Sequence, residues 1–266
     1  MKKNLVTIAL AFTMVLIMVA FSGCGNKDEE ASDLEYIIDK GKLVVGITDF
    51  APMDFKDDAG KWVGFDAEMA EAFGKSIGVE VEFIEIDWDS KEMELENKSI
   101  DCVWNGMTLT NAVKEAMETS NPYCKNAQVV VVKSDVANKY QEKEACGELN
   151  FAVEAGSAGA EAAEAEGWNT TEVQTQAAAL MEIQAGTADA AIIDLLMAGA
   201  MIGEGTSYEN LQYTCSLTSE EYGVGFRKGS NLAAELNEFF IASYEDGSMI
   251  KIAEKYGTQE TVIEQK

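Results

Sequence analysis

"IQAGTADAAIID", residues 183–194, leaves a helix at Gly186, turns through small residues and Asp189, and enters an apolar run closed by Asp194. "LENKSIDCVWNG", residues 95–106, has the same layout: a helix end, a turn carrying Asp101, and an apolar run closed by Asn105. In parallel α/β sheets, ligands bind beyond the carboxyl ends of the strands. Each segment therefore carries one polar side chain where a ligand would rest. One such lobe makes a crevice, and two facing lobes make a cleft.

The flanking sequence alternates in the manner this reading needs. "KLVVGIT" (42–48) is a continuous apolar strand, and "FDAEMAEAFGKSIG" (65–78) is a helix with Phe65, Met69, Phe73 and Ile77 on one stripe, closed by Gly78. "VEVEFIEI" (79–86) alternates as a half-buried strand, "SKEMELENK" is a short helix, and "DCVW" is a strand. In "WNGMTLTNAVKEAM" (104–117) the strand ends, a glycine turn follows, and Thr110 caps a new helix. A second set begins with the strands "QVVVVK" (128–133) and "NFAVEAG" (150–156). It continues through a helix in "SAGAEAAEAEG", a helix in "QAAALMEIQAG", the strand "DAAIID" and a helix in "LLMAGAMI". "YGVGFRKG" (222–229) is one more strand, and two helices close the chain. The order argues an α/β protein with mostly parallel sheets.

The balance of charge narrows the partners. The 266 residues hold 47 acidic and 20 basic side chains, a net charge of −27. Such a surface repels nucleic acid and anionic headgroups, and its ordinary meaning is solubility. Histidine is absent, which excludes a histidine triad, a histidine general base and histidine-ligated metals. Arg227 is the sole arginine, so a bidentate grip on a carboxylate must come from it alone. Cys102, Cys124, Cys146 and Cys215 show no CxxC spacing; they read as free thiols, with no zinc site and no cofactor expected.

The first residues read as an export address. Lys2 and Lys3 precede an apolar run ending at "SGCG", after which the sequence turns polar. Small residues before Cys24 resemble the lipobox of bacterial lipoproteins, with Phe21 where leucine is usual. That resemblance makes 1–23 a signal peptide, Cys24 the lipid-modified N-terminus and 24–33 a tether. An uncleaved membrane anchor is the other reading of the same run.

Seven stretches then fall in a familiar order. "GKLVVGITDFAPMDFKDDAGKWVGFDAEMAEAFG", "EIDWD", "DCVWNGMTLT", "SNPYCKNAQVVVV", "VEAGSAGAE", "IQAGTADAAIID" and "EEYGVGFRKGSNLAAELN" resemble the solute-binding proteins of polar amino acid ABC transporters. The resemblance implies a two-lobed periplasmic-binding-protein-like fold with hinges near 127–133 and 216–226. Lobe 1 would comprise 34–128 and 218–266, with 129–217 forming lobe 2. It implies a monomer tethered to the extracellular face of the membrane, which closes on a small amino acid or amine and delivers it to a permease.

The resemblance also assigns roles. Phe50 and Trp88 match aromatic positions that sandwich the ligand, although core packing is the ordinary fate of such rings. Asn105, Gly106, Met107 and Thr108 match the segment that supplies hydrogen bonds, and Gly156, Ser157 and Ala158 open the facing helix. Trp104 either lines the cleft or backs it. Asp194 would pair with the ligand's amino group; its other reading is the N-cap of the next helix.

The main departure is Val113, which stands where the family carries the arginine that clamps a ligand carboxylate. Lys114, one residue on, lies about 100° around the helix. Either the helix N-termini at 108–111 and 157–160 hold a carboxylate, or the ligand has none and is a cation or neutral solute. A cleft enzyme such as a dehydratase is the rival function; it would have to use carboxylate, lysine or tyrosine as its acid and base.

Overall fold

Lys42–Ile47 and Gln128–Lys133 are each buried along five of their six residues, because helices pack over the sheets they belong to. The structure, a computed structural model, describes residues 32–266. The signal peptide, Cys24 and most of the tether lie outside the described residues. Among those that are described, no helix is long and apolar enough to cross a membrane.

The first sheet runs in the order Glu80–Glu85, Lys42–Ile47, Cys102–Thr108, Glu220–Phe226, Glu118–Thr119, with Cys124–Asn126 also paired to Glu220–Phe226. The second runs Asn169–Val173, Asn150–Glu154, Ala190–Asp194, Gln128–Lys133, Leu211–Ser216. Each sheet places three parallel strands beside one antiparallel strand. In both, that strand belongs to a segment crossing between lobes. The chain passes from Cys124–Asn126 to Gln128–Lys133 through Ala127, and returns from Leu211–Ser216 to Glu220–Phe226 through residues 217–219. Cys102–Thr108 and Ala190–Asp194, the two strands of similar sequence layout, occupy equivalent places next to the crossing strand.

Most elements fall where the periodicity puts them. One difference is at Gly106, expected in a turn: the strand continues through it to Thr108. Met107 pairs with Gly223 and Val103 with Gly225, so Trp104, Asn105 and Gly106 lie opposite Val224 alone. This is a bulge, and Gly106 at φ +55° supplies the left-handed residue it needs. Asn169–Val173 and Leu211–Ser216 are edge strands with little apolar patterning, and nothing in the sequence announces them. A helix begins at Asp33, within the stretch read as tether, because Ser32 and Glu35 form a capping box.

Leu232–Glu245 and Ser248–Tyr256 return to pack on Phe65–Ser76 of the first lobe. Trp104 is buried with Phe73 and Phe240, at ring centroid distances of 6.3 and 5.6 Å. It backs the strand and lies in the core of the lobe. Cys102, Cys124 and Cys146 are buried, and all four described cysteines are free thiols.

Candidate functional site

Where the two sheets face each other, the lobes touch directly. Lys91 Nζ, in the first lobe, donates to Gly156 O of the second at 3.0 Å and to Trp88 O at 3.1 Å. Gln174 of the second lobe donates to Asp87 of the first. Gly156 has φ +66°, and a Cβ on it would stand 2.8 Å from Asp89 Cα. Glycine is therefore what lets the second lobe close onto the first.

Beneath these contacts lies a cavity of about 270 Å³. Phe50, Trp88, Asn105, Gly106, Met107, Thr108, Ser157, Ala158 and Asp194 all line it, brought together from both lobes. Their polar atoms are not equally free. Asn105 Oδ1 accepts from the Thr48 N–H and hydroxyl at 2.9 and 2.8 Å, while its Nδ2 donates to Thr48 O and Asp54. The amide thus ties the strand end to the loop carrying Phe50. The Gly106 N–H donates to Asp66 at 2.7 Å, and the Thr108 hydroxyl donates to Glu220 at 3.0 Å. Ser157 caps Ala158–Glu166 by accepting from the Ala160 N–H at 3.1 Å.

Asp194 closes its strand in a web of donors. Gln128 Nε2 at 3.0 Å, Tyr222 OH at 2.6 Å and Asn126 all donate to Oδ1, and Gln176 donates to Oδ2. Its side chain makes no capping bond to the helix Leu195–Met201. Phe50 packs edge-on against Tyr222 and above Gly106, where a Cβ would lie 2.5 Å from the ring. One face of Trp88 is covered by Lys91 Nζ, 5.0 Å from the ring centroid.

A profile of bacterial extracellular solute-binding proteins, family 3, matches residues 43–259. The chain belongs to that family. The arginine-binding extracellular protein ArtP of Bacillus subtilis is 29% identical, over 98% of this chain and all of that one. The L-cystine-binding protein TcyA of the same organism is 29% identical, over 96% of this chain and 97% of its own. Among solved structures, a substrate-binding protein of an ABC uptake transporter from Streptococcus pneumoniae with bound histidine superposes with a TM-score of 0.79. It is 28% identical, covering 88% of this chain and 99% of its own. The ancestral amino acid-binding protein AncCDT-1, a precursor of cyclohexadienyl dehydratase, gives 0.78 at 31% identity, over 85% of this chain and 99% of its own.

The cavity of this family 3 binding protein is acidic. Val113 lines it with an apolar surface that packs among Leu95, Met107 and Met117. Lys114 is exposed and lies outside the cavity. Arg227 is spent elsewhere, pairing with Asp33 at 3.1 Å and Asp101 at 3.5 Å and donating to Ile100 O at 2.9 Å. Lys91 is the one cation lining the cavity among the described residues; burial lowers its pKa.

Glu154, which the sequence places without distinction in the strand "NFAVEAG", also lines the cavity, and it is 3% exposed. Its Oε1 is buried without a hydrogen-bond partner. An unmet buried acceptor of this kind costs about 1–3 kcal/mol. Burial, and then the charge of Asp194, push the Glu154 carboxyl up to about 8. Asp194 is raised to about 7, chiefly by burial and then by Glu220. Among the described residues no cluster of three or more His, Cys, Asp or Glu is placed to hold a metal ion.

Proposed function

We propose that this protein is the lipid-anchored receptor of an ABC importer, capturing a small amino acid or related amine by hinge closure. The observation that carries the reading is the cavity itself. It lies between two lobes joined by two crossings and sealed by contacts from Lys91 to Gly156 and from Gln174 to Asp87. In this reading Asp194, which lines the cavity, receives the ligand's amino group, and Phe50 and Trp88 bound it from the first lobe. Thr108, Met107 and Gly106 form one wall, Ser157 and Ala158 the other, and Asn105 holds the first wall in place. Cys24 carries the lipid and holds the receptor, a monomer in this reading, at the extracellular face near its permease. Tethering of this kind raises its effective concentration there.

The relatives support this over a cleft enzyme, since they are named for the amino acids they bind. Calorimetric titration of the full chain, in detergent, against amino acids and amines tests the reading. One or more is expected to bind with a one-to-one stoichiometry, and a panel without any binding sinks it. For the anchor, Cys24→Ser is expected to move the protein from the membrane fraction to the medium. Unchanged membrane retention would refute lipidation there.

A further inference from the structure

Glu154 and Asp194 end adjacent parallel strands, Asn150–Glu154 and Ala190–Asp194, whose register pairs Phe151 with Ala190 and Ala152 with Ala191. Continued, that register sets Glu154 beside Ile193 with Asp194 one residue beyond, and both carboxyl groups line the cavity where the two strands end, in the second lobe's half of the cleft. They are not equivalent. Asp194 is met by four donors, whereas Glu154 leaves Oε1 buried without any. Gln176 Nε2, which donates to Asp194, also acts on the Glu154 carboxyl group, as does the charge of Lys91, and both lower its pKa, yet neither forms a hydrogen bond to Oε1. Lys91, the nearest candidate counter-ion in the lining, directs its ammonium to Trp88 O and Gly156 O.

The mouth of the cavity adds charge of the same sign through Asp89, Glu92 and Glu161. On the opposite wall, Val113 presents no cation to a ligand anion. A buried carboxylate without donors is stable in the ionised form only beside a cation. We infer that the ligand is a small organic dication, with one cationic nitrogen at Asp194 and the second at Glu154. Glu154 is thus the residue that selects for the second charge. This rests on the solute-receptor reading above and narrows its ligand.

The test is calorimetry on the full chain with paired probes: 1,4-diaminobutane against 1-aminobutane, and L-lysine against L-norleucine. The member with two cationic nitrogens in at least one pair is expected to bind ten-fold or more tighter than its partner with one. Glu154→Gln is expected to bring that ratio toward one, and a thermal melt of the variant confirms that it folds. Equal affinities within both pairs, or a ratio unmoved by Glu154→Gln in a folded variant, overturn the inference while leaving a solute receptor in place. Failure of every probe and of the standard amino acids to bind overturns both.

Discussion

Asp194 and Glu220 accept hydrogen bonds from the same two amides. Gln128 Nε2 lies 3.0 Å from Asp194 Oδ1 and 2.7 Å from Glu220 Oε1, and Asn126 Nδ2 reaches both carboxylates. Asn126 and Gln128 flank the outgoing crossing, and Glu220 begins the strand after the return crossing. The two carboxylates therefore link both hinge segments to the floor of the ligand cavity. A charge arriving at Asp194 acts on the same amides that brace the hinge.

The raised carboxyls predict how ligand and pH act together. Asp194 titrates near 7 and Glu154 near 8, both well above their unfolded values because burial disfavours the charge. The folded state then binds more protons than the unfolded state between about pH 4 and 8, so stability falls as pH rises across that window. Scanning calorimetry of the empty protein is expected to give a higher Tm at pH 5 than at pH 8. A cationic ligand should protect more at pH 8, where both carboxylates ionise, than at pH 5. A Tm rising between those values without ligand would contradict the assignment.

Gly156 predicts a closure defect. Alanine there would adopt a left-handed backbone, at about 1–2 kcal/mol, and its Cβ would meet Asp89 Cα at 2.8 Å only when the lobes are shut. Gly156→Ala is expected to weaken ligand binding ten-fold or more, and small-angle scattering with saturating ligand should show a larger radius of gyration than wild type. Wild-type affinity and compaction would refute a role in closure.

Val113→Arg tests the missing clamp. The substitution inserts a guanidinium at a buried apolar position beside Leu95 and Met117, where overpacking costs about 1–3 kcal/mol. Tm is expected to fall, while the affinity for an α-amino acid rises relative to the amine lacking its carboxylate. If the ratio of the two affinities does not move, Val113 does not face the carboxylate position.

Arg227→Ala tests the structural role of the lone arginine. Its loss leaves Asp101, which is buried, with Lys40 as its remaining ion-pair partner beside the Val44 N–H, and frees Asp33 at the start of the N-terminal helix. Leaving a buried charge uncompensated costs about 3–5 kcal/mol, and because Asp101 keeps Lys40 and the Val44 N–H the loss is expected to fall below that range. Denaturant unfolding should report that loss. Ligand affinity, measured where the variant is folded, should stay within two-fold of wild type.

By itself the sequence determined the layered α/β plan and the paired layout of 95–106 and 183–194, while its resemblance to a known family supplied the nine residues expected at the cleft, all of which line a single cavity. It also limited any guanidinium in the cleft to Arg227, with Val113 standing where the resemblance places the clamp; the structure then engages Arg227 with Asp33 and Asp101, away from the cavity. These features are local: periodicity, caps and strand ends follow from neighbouring residues. Tertiary structure alone decided that Asn105 braces a loop, that Trp104 is core, that the edge strands exist, and that Glu154 stands beside Asp194. Glu154 sits inside "NFAVEAG", and nothing in that stretch shows forty residues ahead to the strand it will neighbour. Sheet pairing brings the two acids together, and burial in that sheet turns an ordinary glutamate into an acceptor that lacks a donor.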